Sequence, residues 1–346
     1  MVKEMVLERT IFCTIASFEY KPMVELLVES FFKFHPKNKF IIFSSDLYEL
    51  NSLNESDNLE WRHLNIEGES ESKRLSYSKI KPLVLKILME EGWQSIIFLD
   101  PDSLVMSSLD DIIDIVSNNS LTLTPHILNF VEENTIENFD KILLNSGMYN
   151  AGFIGLSQSK ETVDFLKWWE SRTLERGLLF PTSGLHFDQR WLDLAPGFFK
   201  KICILRDPGL NVGYFNLANR RIEIENGEYF INGSKLKLIH FSGFYPEMLP
   251  SSNIYSPQVL VSDFGQLENI FKLHAKKLLA LGWTSRGSAP KIQDTVKFYR
   301  SALSFAKKSK FFRFIWARFL GTSTGKKMKN FWSTVSQIIS LNRSPK

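Results

Sequence analysis

Residues 96–99, Ile-Ile-Phe-Leu, run directly into two aspartates one residue apart, Asp100-Pro101-Asp102. A buried strand with that ending carries two carboxylates to the edge of a sheet, where they can hold a divalent cation against a diphosphate. Mn²⁺ and Mg²⁺ prefer oxygen ligands, so the pairing has a chemical reason. The alternative is a Pro-containing turn with solvated acids. A third candidate ligand is His240, which closes an apolar strand at 236–240 with Gly243 three residues on. An imidazole at a strand end facing two carboxylates has metal-ligand chemistry, although a lone histidine there is as readily structural. Two further segments carry suitable groups. Asn150-Ala151-Gly152 enters the apolar strand 149–156, and its small residues suit either close approach of a ligand or a bulge. Asp188-Gln189 opens a helix, where an aspartate also serves as a cap.

The surrounding pattern is α/β. Residues 11–16 read as a first strand, 22–34 as a helix with Met23, Leu26, Leu27 and Phe31 on one face, and 39–44 as a second strand. Strand, helix and strand in so short a span imply a parallel pair with a right-handed crossover. Ligands of such sheets bind beyond the carboxyl ends of strands, which groups Ala16, Ser17, Asp46, Asp100 and Asp102 on one rim. Residues 51–74 read as a polar surface connection, and 79–91 as a helix leading into the aspartate strand. Beyond it come a helix at 109–116, a strand at 120–125 and a helix at 160–172 whose Trp168 and Trp169 pack on the sheet.

With 346 residues, 44% hydrophobic content, 29 Phe and 8 Trp, the chain can bury a large core, which excludes global disorder. Its two cysteines, Cys13 and Cys203, sit among aliphatic residues and read as reduced core residues of a cytosolic protein. Glu4, Glu8 and Arg9 near the start fit neither a signal peptide nor a spanning helix, and no apolar run approaches about 18 residues. Charge is uneven. Residues 301–346 hold ten Lys or Arg and no acid, so the remainder carries −6 and the tail +10.

Taken in order, the Asp-x-Asp strand, the Asn150-Ala151-Gly152 strand, Asp188-Gln189 and His240-Phe241-Ser242-Gly243 resemble glycosyltransferase family 8, of GT-A fold, over residues 10–245. The resemblance implies a mixed, mostly parallel sheet flanked by helices, and sugar transfer from a nucleotide sugar, a UDP-sugar first, with retention of configuration. It implies Asp100, Asp102 and His240 as ligands of Mn²⁺ or Mg²⁺, with Asn150, Asp188 and Gln189 facing donor sugar and acceptor. A carboxamide is a poor nucleophile, so Gln189 points to front-face displacement through an oxocarbenium-like state. Residues 15–20 resemble the nucleoside-binding loop, bringing in Ala16, Ser17 and Tyr20, and Gly243 joins them at the diphosphate. Where the family continues to a lysine that grips the diphosphate, this chain has Phe244-Tyr245-Pro246-Glu247, so Lys79, Lys81 or Arg220 must supply the cation. The stretch 207–220 resembles uncharacterised bacterial glycosyltransferases more than the family's founders.

The expected organisation is a catalytic domain at 1–250, a helical extension at 251–300 including a helix at 267–281, and a basic aromatic tail at 301–346. Lysines and arginines interleaved with Phe311, Phe312, Trp316, Phe319, Phe331 and Trp332 fit an anionic membrane surface, each contributing about 1 kcal/mol. That placement suggests a cytoplasmic protein, peripheral on the inner membrane, acting on a glycan or lipid-linked acceptor in capsule or lipopolysaccharide assembly. A nucleic-acid partner is disfavoured by the acidic body and the lack of a recognition motif. Two rivals remain: a haloacid-dehalogenase-like phosphatase with Asp100 as nucleophile, and a binding module without turnover.

Overall fold

The computed structural model describes residues 9–44, 57–64, 73–129, 143–144, 146–175, 188–217, 220–253 and 260–284, with 73–79 and 174–175 described by backbone alone. Asp46, most of 51–74, the Lys79 side chain and the whole tail lie outside the described residues.

Strand β1 (Thr10–Ile15), helix α1 (Lys21–Phe34), β2 (Lys39–Ser44), β3 (Leu59–His63), α2 (Lys73–Glu90) and β4 (Ser95–Leu99) form the first half. Then come β5 (Ser103–Val105), α3 (Asp110–Ser117), β6 (Leu121–Pro125), β7 (Tyr149–Ser157), α4 (Lys160–Glu175), α5 (Ala195–Phe198) and β8 (Ile202–Ile204). A small meander, β9 (Ile222–Glu225), β10 (Glu228–Ile231) and β11 (Ser234–Lys235), precedes β12 (Leu238–His240) and α6 (Glu268–Ala280).

The main sheet has the order β3-β2-β1-β4-β7-β6-β8. Neighbours are parallel except around β7, which runs antiparallel to both β4 and β6. Alternation along the strands explains the layers. Ile96 and Phe98 face one core with Val84, Leu85 and Leu88 of α2 and Phe165 and Trp169 of α4. Ile97 and Leu99 face the other, with Val24, Leu27 and Phe31 of α1 and Ile112, Ile113 and Val116 of α3. Both faces are covered, so β4 is buried at every position and apolar from Ile96 to Leu99, until the chain reaches solvent at Asp100. Trp169 is fully buried and Trp168 packs beside it, as expected. Cys13 and Cys203 are both free thiols, and burial pushes each thiol's pKa up.

Two parts differ from the sequence reading. Leu59–His63, inside a stretch expected to be a surface connection, is an edge strand parallel to β2; Leu59 is its one buried residue. The strand expected at 236–240 is shorter and stands outside the main sheet: β12 pairs antiparallel with β5 and forms a single bridge to Val212.

The chain divides into two compact units, Met1–Thr284 and Ser285–Lys346. The helix expected at 267–281 is α6, and it packs within the first unit. Its Phe271 and His274 meet Phe241, the residue after His240, and the His274 ring stacks on Phe241 at 3.8 Å and 2°. Burial holds the His274 pKa down to about 3, so it serves as a neutral ring behind β12. Among the described residues no helix is long and apolar enough to cross a membrane.

Candidate active site

The pairing of β5 with β12 explains how residues distant in sequence converge. After Asp100-Pro101-Asp102 the chain turns at once into β5, where Ser103 lies opposite His240. The Phe241 amide donates to the Asp102 carbonyl at 2.8 Å, closing the end of that ladder. His240 Nε2 is thereby held 3.2 Å from Asp102 Oδ1 and 3.6 Å from Asp100 Oδ2. One ligand atom from each of the three residues lies within 4.8 Å of the others.

On the opposite side of Asp100 stands Lys81 of α2, which the crossover from β3 to β4 brings under the site. Its Nζ is 3.2 Å from Asp100 Oδ1, 3.2 Å from Asp188 Oδ2 and 3.0 Å from the Ala151 carbonyl. Burial favours the neutral amine, but Asp100 and Asp188 outweigh it and hold the Lys81 pKa above its ordinary value. Burial raises the Asp100 pKa, against the pull of Lys81 and His240. For His240, burial is outweighed by Asp102 and then Asp100, so its pKa is raised. The field that attracts a proton to Nε2 is the field that attracts a cation.

The third wall is an irregularity in β7. Leu123 pairs with Ile154 but Thr124 with Asn150, so residues 151–153 are extra to the ladder with β6. Their freed backbone groups are taken by the site. Gly152 N–H donates to Asn150 Oδ1 and its carbonyl accepts from Asp100 N–H. Ala151 N–H donates to Gln189 Oε1, and Gln189 Nε2 donates to the Ser146 carbonyl. Gly152 is required for a second reason: a Cβ there would lie 2.3 Å from His240 Cε1. Of the two alternatives in the sequence, the bulge is present, and the group that approaches Gly152 is the His240 ring.

Asp188 sits at the start of the 3-10 turn Gln189–Leu194 but makes no side-chain cap bond. Its buried carboxylate faces Lys81 instead, and Oδ2 has no hydrogen-bonding partner beyond that ion pair. The capping alternative is therefore not what the structure shows. Gln189 is anchored by backbone at both ends of its carboxamide, which fixes its plane beside the bulge.

The remaining expected residues are placed as follows. Ala16 donates its N–H to the Phe43 carbonyl at the end of β1, and Ser17 and Tyr20 follow in a short 3-10 turn. Tyr20 meets Trp283 edge-on at 6.3 Å. Gly243 turns the chain after β12 with φ +65°. Arg220 is buried under the loop 207–217, donates to the carbonyls of Pro208 and Leu210, and has its pKa lowered by burial to about 9. Of the three cations expected to reach a diphosphate, Lys81 and Arg220 are thus committed to protein partners, and the Lys79 side chain is outside the described residues.

The structure adds residues that the sequence reading missed. Asn211, His126 and Thr124 form a buried network with Asn150 and His240. Phe215 packs edge-on against both His126 and His240. Asn211 stands at φ +51°, a conformation asparagine tolerates better than most residues, and that is its one local signal.

The donor set suits a hard divalent ion: two carboxylates and one imidazole, with the rest of the shell left for phosphate or water oxygens. Asp100, Asp102 and Asp188 against the Lys81 ammonium leave a charge of −2 when His240 is neutral, which such an ion cancels. Asp100, Asp102 and His240 would hold it.

No family model matches the chain. It is 26% identical over 170 residues to the uncharacterized protein YfnF of Bacillus subtilis (strain 168), covering 48% of this chain and 55% of that one. It is 30% identical over 104 residues to the uncharacterized protein YfnD of the same organism, covering 29% and 32%. The chain thus spans about half the length of the first of these relatives and a third of the second. Among solved structures, the galactosyltransferase LgtC in complex with donor and acceptor sugar analogs superposes with a TM-score of 0.50 at 16% identity. That match covers 77% of this chain and 95% of LgtC. With its mostly parallel sheet, its reversed β7 and its Asp-x-Asp turn at the end of β4, this chain has the GT-A glycosyltransferase fold, as LgtC does.

Proposed function

We propose that the chain is a metal-dependent glycosyltransferase that moves a sugar from a nucleotide sugar to a glycan or lipid-linked acceptor, with retention of configuration. The observation that carries this reading is the convergence of Asp100, Asp102 and His240 within 4.8 Å at the carboxyl end of β4. A divalent ion bound there would neutralise charge on the departing nucleoside diphosphate.

The protein's own groups do the rest. Ala16, Ser17 and Tyr20 line the rim beside β1, where the nucleoside of a UDP-sugar would lie, and Gly243 lets the chain pass close to its diphosphate. Asp188, oriented by Lys81 at 3.2 Å, would face the hydroxyls of the donor sugar. Lys81 stands between Asp100 and Asp188, 3.2 Å from each, and supplies positive charge to both. Gln189, fixed by Ala151 and Ser146, offers an oxygen dipole beside the anomeric carbon rather than a nucleophile. The acceptor hydroxyl then attacks the face that the leaving phosphate departs from, and that phosphate takes its proton. Asn150 acts one step back, through the network it shares with His240. The fold weighs against the phosphatase reading, because Asp100 follows four strands, β1 to β4, of a GT-A sheet.

A thermal-shift screen of UDP- and GDP-sugars with Mn²⁺ tests this. One donor at about 100 times its dissociation constant is expected to stabilise by about 2.7 kcal/mol, and EDTA to remove the effect. No stabilisation by any nucleotide sugar, with or without Mn²⁺, would overturn the assignment.

The same reading places the enzyme on the cytoplasmic face of the inner membrane. Its support is the run of ten basic and no acidic residues at 301–346, interleaved with aromatics. Full-length protein is expected to float with anionic liposomes and protein truncated at 300 to stay behind; equal flotation ends the proposal.

A further inference from the structure

We propose that Asn211 is a positioning residue that aims His240 at the ion; this rests on the reading of Asp100, Asp102 and His240 as its ligands. The argument is one of hydrogen-bond direction. A backbone N–H can only donate, so the atom of Asn150 that meets Gly152 N–H at 2.8 Å is its oxygen. That choice turns Asn150 Nδ2 toward His126 Nε2 at 3.1 Å, and His126 donates its Nδ1 proton to the Gly147 carbonyl at 2.8 Å.

Asn211 meets the same Asn150 oxygen at 3.0 Å and Thr124 Oγ1 at 2.8 Å, and the atom that does so must be its Nδ2. Its oxygen is therefore the atom left for His240 Nδ1, 3.1 Å away. His240 Nδ1 must carry a proton to make that bond. The lone pair of the neutral ring is thereby assigned to Nε2, the nitrogen that faces Asp102 and Asp100. One backbone amide in the β7 bulge thus sets, through two asparagines, which nitrogen of His240 can bind a cation.

The surroundings make Asn211 the point of control. It is 1% exposed and His240 3%. Its backbone is pinned beside β12, with Val212 N–H donating to the Leu238 carbonyl and His240 N–H to the Val212 carbonyl. Asn216 Nδ2 holds the Asn211 carbonyl at 3.0 Å, and Asn216 Oδ1 accepts from Gly213 N–H at 3.0 Å. Arg220 clamps the approach from below through Pro208 and Leu210. Outer partners that fix a ligating histidine commonly govern metal affinity by about 10–100-fold.

Two substitutions separate aiming from mere packing. Glycine adopts a positive φ freely, so Asn211→Gly keeps the backbone and removes the acceptor. Asn211→Asp keeps an oxygen for His240 Nδ1 but sets a carboxylate against Asn150 Oδ1. If Asn211 aims His240, Mn²⁺ alone, titrated into full-length protein and followed by the free-ion electron paramagnetic resonance signal, binds the glycine variant about 10–100-fold more weakly. The aspartate variant stays within about threefold of wild type, a rescue that the retained acceptor alone provides. A purely structural Asn211 gives the reverse order, with aspartate the more damaging, and that order would overturn the proposal, as would unchanged affinity in the glycine variant. Wild-type protein that takes up no Mn²⁺ would instead remove the metal-site reading itself, and this inference with it.

Discussion

Replacing Asp102 with alanine is expected to abolish Mn²⁺-dependent stabilisation and to lower sugar transfer by about 10³-fold or more. Asp102 is the carboxylate nearest His240 Nε2, at 3.2 Å, and it lies in the turn between β4 and β5. Losing it removes one of three ligands and raises the charge of the remaining cluster from −2 to −1, so the attraction for a divalent ion falls as well. The fold is expected to survive. Asp100 still faces both Lys81 and His240, and the repulsion of Asp102 on Asp100 disappears. The melting temperature without metal should therefore stay within a few degrees of wild type while the shift produced by Mn²⁺ and donor vanishes. Transfer that persists in the alanine variant at more than about a tenth of the wild-type rate would mean that the ion lies elsewhere.

Lys81→Met is expected to do the opposite, costing stability first. The Lys81 side chain is 8% exposed and supplies the positive partner for both Asp100 and Asp188. Removing one member of a buried ion pair leaves uncompensated charge and costs about 3–5 kcal/mol. For a unit of this size that corresponds to a fall in melting temperature of roughly 10 °C. Its pH dependence identifies the cause. Burial already holds the Asp100 pKa above its ordinary value against the pull of Lys81, so with Lys81 gone it rises further and the folded state binds more protons. The deficit relative to wild type should then shrink as pH falls from 7 toward 5, and Mn²⁺, which restores positive charge, should shrink it at pH 7 too. A variant as stable as wild type at pH 7 without metal would show that the ammonium is not what holds these carboxylates.

Much of this site was legible because its carriers are buried strands. Ile96–Leu99 must be apolar on both faces of a covered sheet, so the abrupt change at Asp100 marks both where the strand ends and where chemistry begins. The same contrast marks Asn150 within β7 and His240 at the end of β12. The direction of β7 left no such trace, since an antiparallel strand buried on both faces has the composition of a parallel one. Edge strand β3 buries only Leu59 and reads as loop. The β9–β11 meander went unplaced although Asn226-Gly227 and Asn232-Gly233, all at positive φ, are strong hairpin turns. Asn211 and His126 were illegible for a different reason. Each is a single polar residue whose role depends on which atom faces which neighbour, and no spacing in the chain encodes that. Arg220 shows the converse: a cation near the right place in sequence is spent on the carbonyls of its own loop.

The most direct measurement is anomalous diffraction from crystals of the full chain grown with Mn²⁺ and a nucleoside diphosphate. The expected result is one manganese peak about 2.0–2.3 Å from a carboxylate oxygen of Asp100, a carboxylate oxygen of Asp102 and Nε2 of His240, with phosphate oxygens completing its shell. A nucleotide bound with no manganese among these three residues, or a peak that leaves His240 out, would contradict the assignment of this site.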